Sequence, residues 1–155
     1  MALKIIRNYI TRHDRFKEAI PLLPAGIMIH STACLDVMAA DWFTMWHKSL
    51  AAGEINREAA VHAFVDDQAV YQYWPWMICG WHAGGRVIIT RIAIETCEPA
   101  GIEYAEDSFD LIVYDSTVFA KYFEKVWQDD IQLSLWLCQQ FQIAPGNIIS
   151  HHEGF

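Results

Sequence analysis

No apolar run in the chain approaches the roughly 18 residues that cross a bilayer, so a membrane-spanning helix is not expected. The N-terminus, Met1-Ala2-Leu3-Lys4-Ile5-Ile6-Arg7, lacks a long apolar stretch followed by a small-residue cleavage site, which argues against a secretory signal peptide. Cys34, Cys79, Cys97 and Cys138 are widely spaced, with no CxxC pair. Their spacing signals neither a disulfide framework nor a zinc finger, and their apolar neighbourhoods suit buried, reduced thiols. There is no internal repeat, low-complexity tract or Ser/Gly linker. Cations are scarce beyond the start. Lys4, Arg7, Arg12, Arg15 and Lys17 crowd the first 17 residues beside one acid, Asp14, and the rest of the chain carries 18 acids against 6 Lys and Arg. A nucleic-acid partner usually needs a basic face, so no nucleic acid is expected. The basic start reads as a solvated N-terminal arm.

What is present is enough for one packed domain, residues 1–155. Hydrophobic residues make up 54% and charged residues 19%, which excludes wholesale disorder. A polar lead-in ends at Pro21-Leu22-Leu23-Pro24, and Gly26 to His30 reads as a buried strand. Asp36 is placed to cap a helix over 37–51, with Met38, Trp42, Met45, Trp46 and Leu50 on one stripe. Val61–Val65 and Ala69–Trp74, separated by Asp66-Asp67-Gln68, predict a hairpin. Val87 to Thr96 is β-prone, with the core strand at 91–96, and 98–110 reads as an acidic loop. Ser116 is placed to cap a long helix to about Phe141, with Phe119, Phe123, Val126, Leu133 and Leu137 at helical spacing and Trp127 and Ile131 widening the stripe. Pro145-Gly146 ends it, and Ile148 to His151 reads as a last short strand. The layout is α/β, a mixed central sheet covered by helices on both faces.

Several standard sites are missing: no Gly-x-Ser-x-Gly elbow, no phosphate-binding GxxxxGK[ST], no GxGxxG after a strand and no HExxH. What remains is a set of histidines and one carboxylate at strand ends: His30, His62, His82, Glu95 and His151. An imidazole at the end of a buried strand is well placed to hold zinc, because the strand fixes the ring and the loop side admits water. A nearby glutamate can then carry a proton from water to a leaving amine. Read alone, each histidine suits a hydrogen-bonded structural role better than that of a ligand.

Gly26-Ile27-Met28-Ile29-His30-Ser31-Thr32-Ala33, Val61-His62-Ala63-Phe64-Val65-Asp66-Asp67, Trp81-His82-Ala83-Gly84-Gly85, Ile92-Ala93-Ile94-Glu95 and Ile148-Ile149-Ser150-His151-His152-Glu153-Gly154 occur in that order. Together they resemble the zinc-dependent type 2 N-acetylmuramoyl-L-alanine amidases. That family includes phage endolysins, bacterial anhydro-muropeptide amidases and animal peptidoglycan recognition proteins. The stretch 8–155 is most similar to endolysins and prophage amidases of clostridia. The resemblance implies bacterial peptidoglycan as the partner and Zn2+ as the cofactor, with His30 and His151 as metal ligands. It implies Glu95 as the residue that activates the attacking water. Some members use a tyrosine at the position of Val61 instead, so this chain depends on Glu95. His82, Trp81 and His62 match residues that line or support the substrate groove. His82 is open between substrate contact and loop scaffold, and His62 leans toward scaffold. Tyr71, Tyr73, Trp74 and Trp76 are open between groove and packing.

The resemblance also implies a third metal ligand, Asp or Cys, and a preceding basic residue, both a short way beyond the second histidine. This sequence ends four residues after His151, at Phe155. The expectation is therefore a domain whose C-terminal end is missing, with His152, Cys34 or a neighbouring chain as candidate substitutes. Three functions stay open: a peptidoglycan amidase of the phage-lysin kind, made in the bacterial cytoplasm and acting on the wall after release; a catalytically impaired peptidoglycan-binding module of the same fold; and a glycosidase using Glu95 as acid. The last lacks a second carboxylate with a claim to the site.

Overall fold

The structure is a computed structural model that describes residues 3–106, 108 and 110–154, with Arg86 described by its backbone alone. In chain order the elements are β1 (Ile5–Arg7), α1 (Asp14–Glu18), β2 (Gly26–Leu35), α2 (Trp42–Trp46), β3 (Ala63–Val65), β4 (Val70–Gln72), β5 (Arg91–Glu98), β6 (Glu103–Tyr104), β7 (Leu111–Val113), α3 (Ser116–Phe141) and β8 (Ile148–Ser150). Six strands form one sheet in the order β1-β4-β3-β5-β2-β8. The β3–β4 hairpin is antiparallel and the other pairings are parallel, which makes the sheet mixed as expected.

Strand alternation sorts the core into two layers. Ile27, Ala63, Val65, Ile92 and Ile94 point to the α3 side, where Val126, Leu133, Leu137 and Cys138 cover them. Phe64, Ala93 and Cys97 point the other way, toward Ile10, Trp42, Tyr73 and Trp74 beneath the short helices. The apolar stripe of α3 is narrower than the sequence suggests. Trp127 is 62% exposed and Ile131 50%, so neither widens the buried face.

The cap of α3 is Asp115 rather than Ser116: its carboxylate accepts from the Thr117 N–H at 2.8 Å. The helix stops at Phe141 because Gln142 turns left-handed at φ +56°, three residues ahead of Pro145.

Three expectations need correction. The helix over 37–51 shrinks to the five residues of α2. Asp36 is left-handed at φ +61° and does not cap it. A side chain also takes a backbone donor that a longer helix would use: Glu54 accepts from the Ser49 N–H at 2.9 Å. The N-terminal segment is not a solvated arm. β1 joins the sheet edge beside β4, and Ile10 is fully buried. Its cations are tied down, Arg15 to Glu58 at 2.6 Å and Glu18 at 2.8 Å, and Arg12 to Glu54. Finally, the stretch read as a loop over 98–110 leads into a small antiparallel pair, β6 with β7; positions 107 and 109 lie outside the described residues.

All four cysteines are free; Cys79, Cys97 and Cys138 are buried and Cys34 half-buried. Among the described residues no helix is long and apolar enough to cross a membrane.

Candidate active site

The site is assembled by strand register. In the parallel β2–β5 pair His30 stands opposite Glu95, just as Met28 stands opposite Ala93. On the other side of β2, β8 pairs Ile29 with Ser150, and the next N–H, that of His151, donates to the Ile29 carbonyl at 3.0 Å. Three neighbouring strands thus carry His30, Glu95 and His151 to one row, on the face opposite Ile92 and Ile94. The expected separation of Ala93 and Glu95 from those isoleucines holds.

His82 arrives from a loop after the hairpin. That loop is stitched down by the Trp81 N–H to the Ala60 carbonyl at 2.6 Å, the Cys79 N–H to Ile20 at 2.8 Å, and the Trp74 indole to the Cys79 carbonyl at 3.0 Å. Gly80 is needed there, since a Cβ would lie 2.7 Å from the Ala60 carbonyl oxygen and 3.3 Å from atoms of both His62 and His82.

The imidazoles touch. His30 Nδ1 is 2.7 Å from His151 Nδ1, and His30 Nε2 is 3.1 Å from His82 Nδ1. Burial lowers the His30 pKa to about 3, with the other two rings adding to the effect, so this ring is neutral at pH 7 and has a lone pair to offer. His151 is exposed and opens the pair to solvent. Glu95 is pushed up to about 8, first by burial, then by the charge of Glu98, with Arg57 opposing. Its Oε2 and the Nε2 of His82 are buried with no hydrogen-bond partner among the described residues. Such orphaned atoms in a cleft mark a place prepared for a ligand.

The cleft itself measures about 840 Å³ and is walled by His30, His82, Glu95 and His151 together with Trp46, Arg57, Trp81 and Tyr104. Trp81 is held flat under the Arg15 guanidinium at 4.1 Å. Trp46, Arg57 and Tyr104 were not singled out by sequence reasoning as groove residues. Their place depends on loop paths, and no local motif marks it.

His62 falls outside this wall, so of the two roles left open for it the structure shows a scaffold and not a groove-lining residue. It is completely buried, its Nδ1 accepting from the Ala93 N–H at 2.9 Å and its Nε2 donating to the Ile78 carbonyl at 3.0 Å. It staples β5 to the loop that carries His82. Tyr73, Trp74 and Trp76 are likewise buried in the packing rather than the groove. Neither Cys34 nor His152 joins the imidazole pair: among the described residues no three His, Cys, Asp or Glu side chains form a group able to hold a metal.

Imidazoles and one high-pKa carboxyl at the carboxyl ends of parallel strands, in an open aromatic-walled cleft, define a hydrolytic α/β domain. Residues 21–154 match the N-acetylmuramoyl-L-alanine amidase family, and the chain belongs to that family. It is therefore a hydrolase of the peptidoglycan amidase class.

Solved structures with the same fold include a mutant endolysin from Bacillus subtilis, 22% identical over 98% of this chain and 86% of that one, at a TM-score of 0.70. The catalytic domain of XlyA is 24% identical over 97% and 86%, at 0.66. The endolysin N-acetylmuramoyl-L-alanine amidase LysCS from Clostridium intestinale URNW is 17% identical over 97% and 82%, at 0.60. No curated protein sequence matches the chain.

Proposed function

We propose that the cleft hydrolyses the amide between the lactyl group of N-acetylmuramic acid and the L-alanine of the stem peptide, in a zinc-dependent reaction with Glu95 as proton carrier. The observation that supports this most is the single row of His30, Glu95 and His151 set by the β5–β2–β8 register. The Nδ1 atoms of His30 and His151 face one another at 2.7 Å, and their imidazole chemistry suits zinc. Catalytic zinc sites ordinarily take three protein ligands, so a site with two binds more weakly. When bound, zinc supplies Lewis-acid polarisation of the scissile carbonyl and favours ionised partners at neutral pH.

The chain's own groups do the rest. In its ionised form, favoured beside a bound cation, Glu95 would take a proton from the attacking water through its buried, unpartnered Oε2 and return it to the alanine nitrogen as that leaves. Trp46 and Trp81 flank the approach and offer flat faces to the glycan and peptide. His62 acts from beneath by fixing the loop that carries Trp81 and His82.

The test is amine release from purified cell walls, measured with zinc content. The unaltered chain is expected to release free amino groups, and zinc removal by a chelator to stop it. Release of reducing sugars instead would overturn the amidase bond assignment. Wall binding with no release under saturating zinc would identify a non-catalytic binding domain.

A further inference from the structure

Two neighbouring rows of α3 carry the wrong polarity for their burial. Trp127, Ile131 and Leu135, spaced by one turn, are 62%, 50% and 55% exposed, while Asp130 and Ser134, three residues on from the first two, are 2% and 5% exposed. Folding alone would reverse this order, since a carboxyl and a hydroxyl are costly to desolvate and apolar side chains are not. Both rows line a pocket of about 340 Å³, walled on the other side by Ile148 of the edge strand β8. Within it Asp130 is only half satisfied. Its Oδ2 accepts from the Thr96 hydroxyl at 2.8 Å, but its Oδ1 has no hydrogen-bond partner among the described residues, and neither has the Ser134 hydroxyl one turn along. Lys125 does not serve as counter-ion, being tied to Asp129 instead.

We propose that this pocket binds a small primary amine, its alkyl or aryl body against Trp127, Ile131 and Leu135 and its ammonium at Asp130 Oδ1 and Ser134 Oγ. The apolar walls and the volume suit a compact organic molecule. An ionised Asp130 leaves an acceptor on Oδ1, the Ser134 oxygen is a second acceptor, and an ammonium brings three donors to them. The exposed Trp127 indole favours a cationic head over a neutral one. Burial pushes the Asp130 carboxyl up to about 7, and a cation paired with it offsets that cost. A carboxylate ligand would meet like charge, and an alcohol would leave the Asp130 charge unpaired. Nothing in this site depends on His30 or His151 as metal ligands.

Titration of the nitrogen-15-labelled chain with phenethylamine tests the assignment, read at the Trp127 indole N–H, which Trp127→Phe identifies. Phenethyl alcohol, with the same body and no charge, is the comparison. The amine should shift the Trp127 signal and bind about 10–100-fold tighter than the alcohol, the range of a hydrogen bond to a charged group. Asp130→Asn keeps the shape and a partner for Thr96, and should bring the amine down to the level of the alcohol. Ser134→Ala should weaken the amine several-fold, and it carries the test alone if the asparagine variant does not melt cooperatively. Equal binding of amine and alcohol, an amine affinity untouched by these substitutions, or no shift at Trp127 overturns the site. A doubled mass in solution with Trp127 unmoved by the amine gives this face to a second copy of the chain and overturns it as well.

Discussion

Glu95→Gln separates the stability of this site from its chemistry. In the metal-free protein the Glu95 carboxyl is pushed up to about 8 by burial and by Glu98, against an ordinary value of 4.5. Between those values the unfolded chain has released its proton while the folded chain keeps it, so stability falls as pH rises through that window. Each pH unit there removes about 1.4 kcal/mol. The penalty is under about 1 kcal/mol at pH 5 and about 3 kcal/mol at pH 7, and it is complete above pH 8. Glutamine has nearly the same shape and no charge to desolvate, so it escapes this cost. Urea unfolding of chelator-treated protein from pH 5 to pH 8 measures the difference between the two chains. The histidines titrate in both and cancel. The variant should gain about 3 kcal/mol over the parent between the acidic and neutral ends. A difference that stays flat with pH refutes the claim that burial holds Glu95 neutral. The same substitution should cut amine release by on the order of 10²–10⁴-fold while zinc is retained. Loss of zinc would instead make Glu95 a ligand.

Other outcomes are expected from the same structure. His62→Phe strands the Ala93 N–H and the Ile78 carbonyl and should cost about 2–4 kcal/mol at pH 7 in urea unfolding. Because burial lowers the His62 pKa to about 4 from 6.5, the parent loses stability as pH falls through that window, so the gap to His62→Phe should narrow in acid; a gap that widens refutes the neutral, buried assignment. Gly80→Ala should lower the melting temperature and weaken zinc binding together, since its Cβ would press on the Ala60 carbonyl and on both His62 and His82; an unchanged melt refutes the close approach. His151→Ala should abolish zinc retention on dialysis, read by atomic absorption, with little change in melting temperature, because the ring is exposed; zinc retained at the parent level refutes its role as a ligand.

The long-range order of the fold was legible where periodicity and burial agree. Ile92 and Ile94 on β5 alternate cleanly and the α3 stripe recurs at helical spacing, so both were expected close to their observed bounds, whereas β2 runs past its expected end at His30 to Leu35. Two of the misreadings share one cause, polar side chains that reach backbone or charge partners outside the local pattern. Glu54 takes the Ser49 N–H, which a helix over 37–51 would have bonded to the Met45 carbonyl. Glu54 and Glu58 neutralise Arg12 and Arg15, which turns an apparent solvated arm into a packed edge. Neither partnership leaves a trace in local composition.

The same distinction runs through the site. His30, Glu95 and His151 were found because each ends a recognisable apolar strand, and parallel register then has little choice but to align them. A slip of one residue in β5 would send Glu95 into the layer under α3 and bring Ile94 to face His30. The isoleucines therefore fix the chemistry as firmly as the polar residues do: Ile92 and Ile94, by claiming the α3 face, force Glu95 onto the cleft face. Trp46, Arg57 and Tyr104 have no such constraint. They sit on α2, on the segment ahead of β3 and on β6, and no local pattern marks which of their side chains reach the cleft, so they became visible only once the chain was folded. The His82 contact with His30 belongs to both kinds. The residue stands in a recognisable Trp-His-Ala-Gly-Gly run, but its contact with His30 is set by the packing of the loop that carries it.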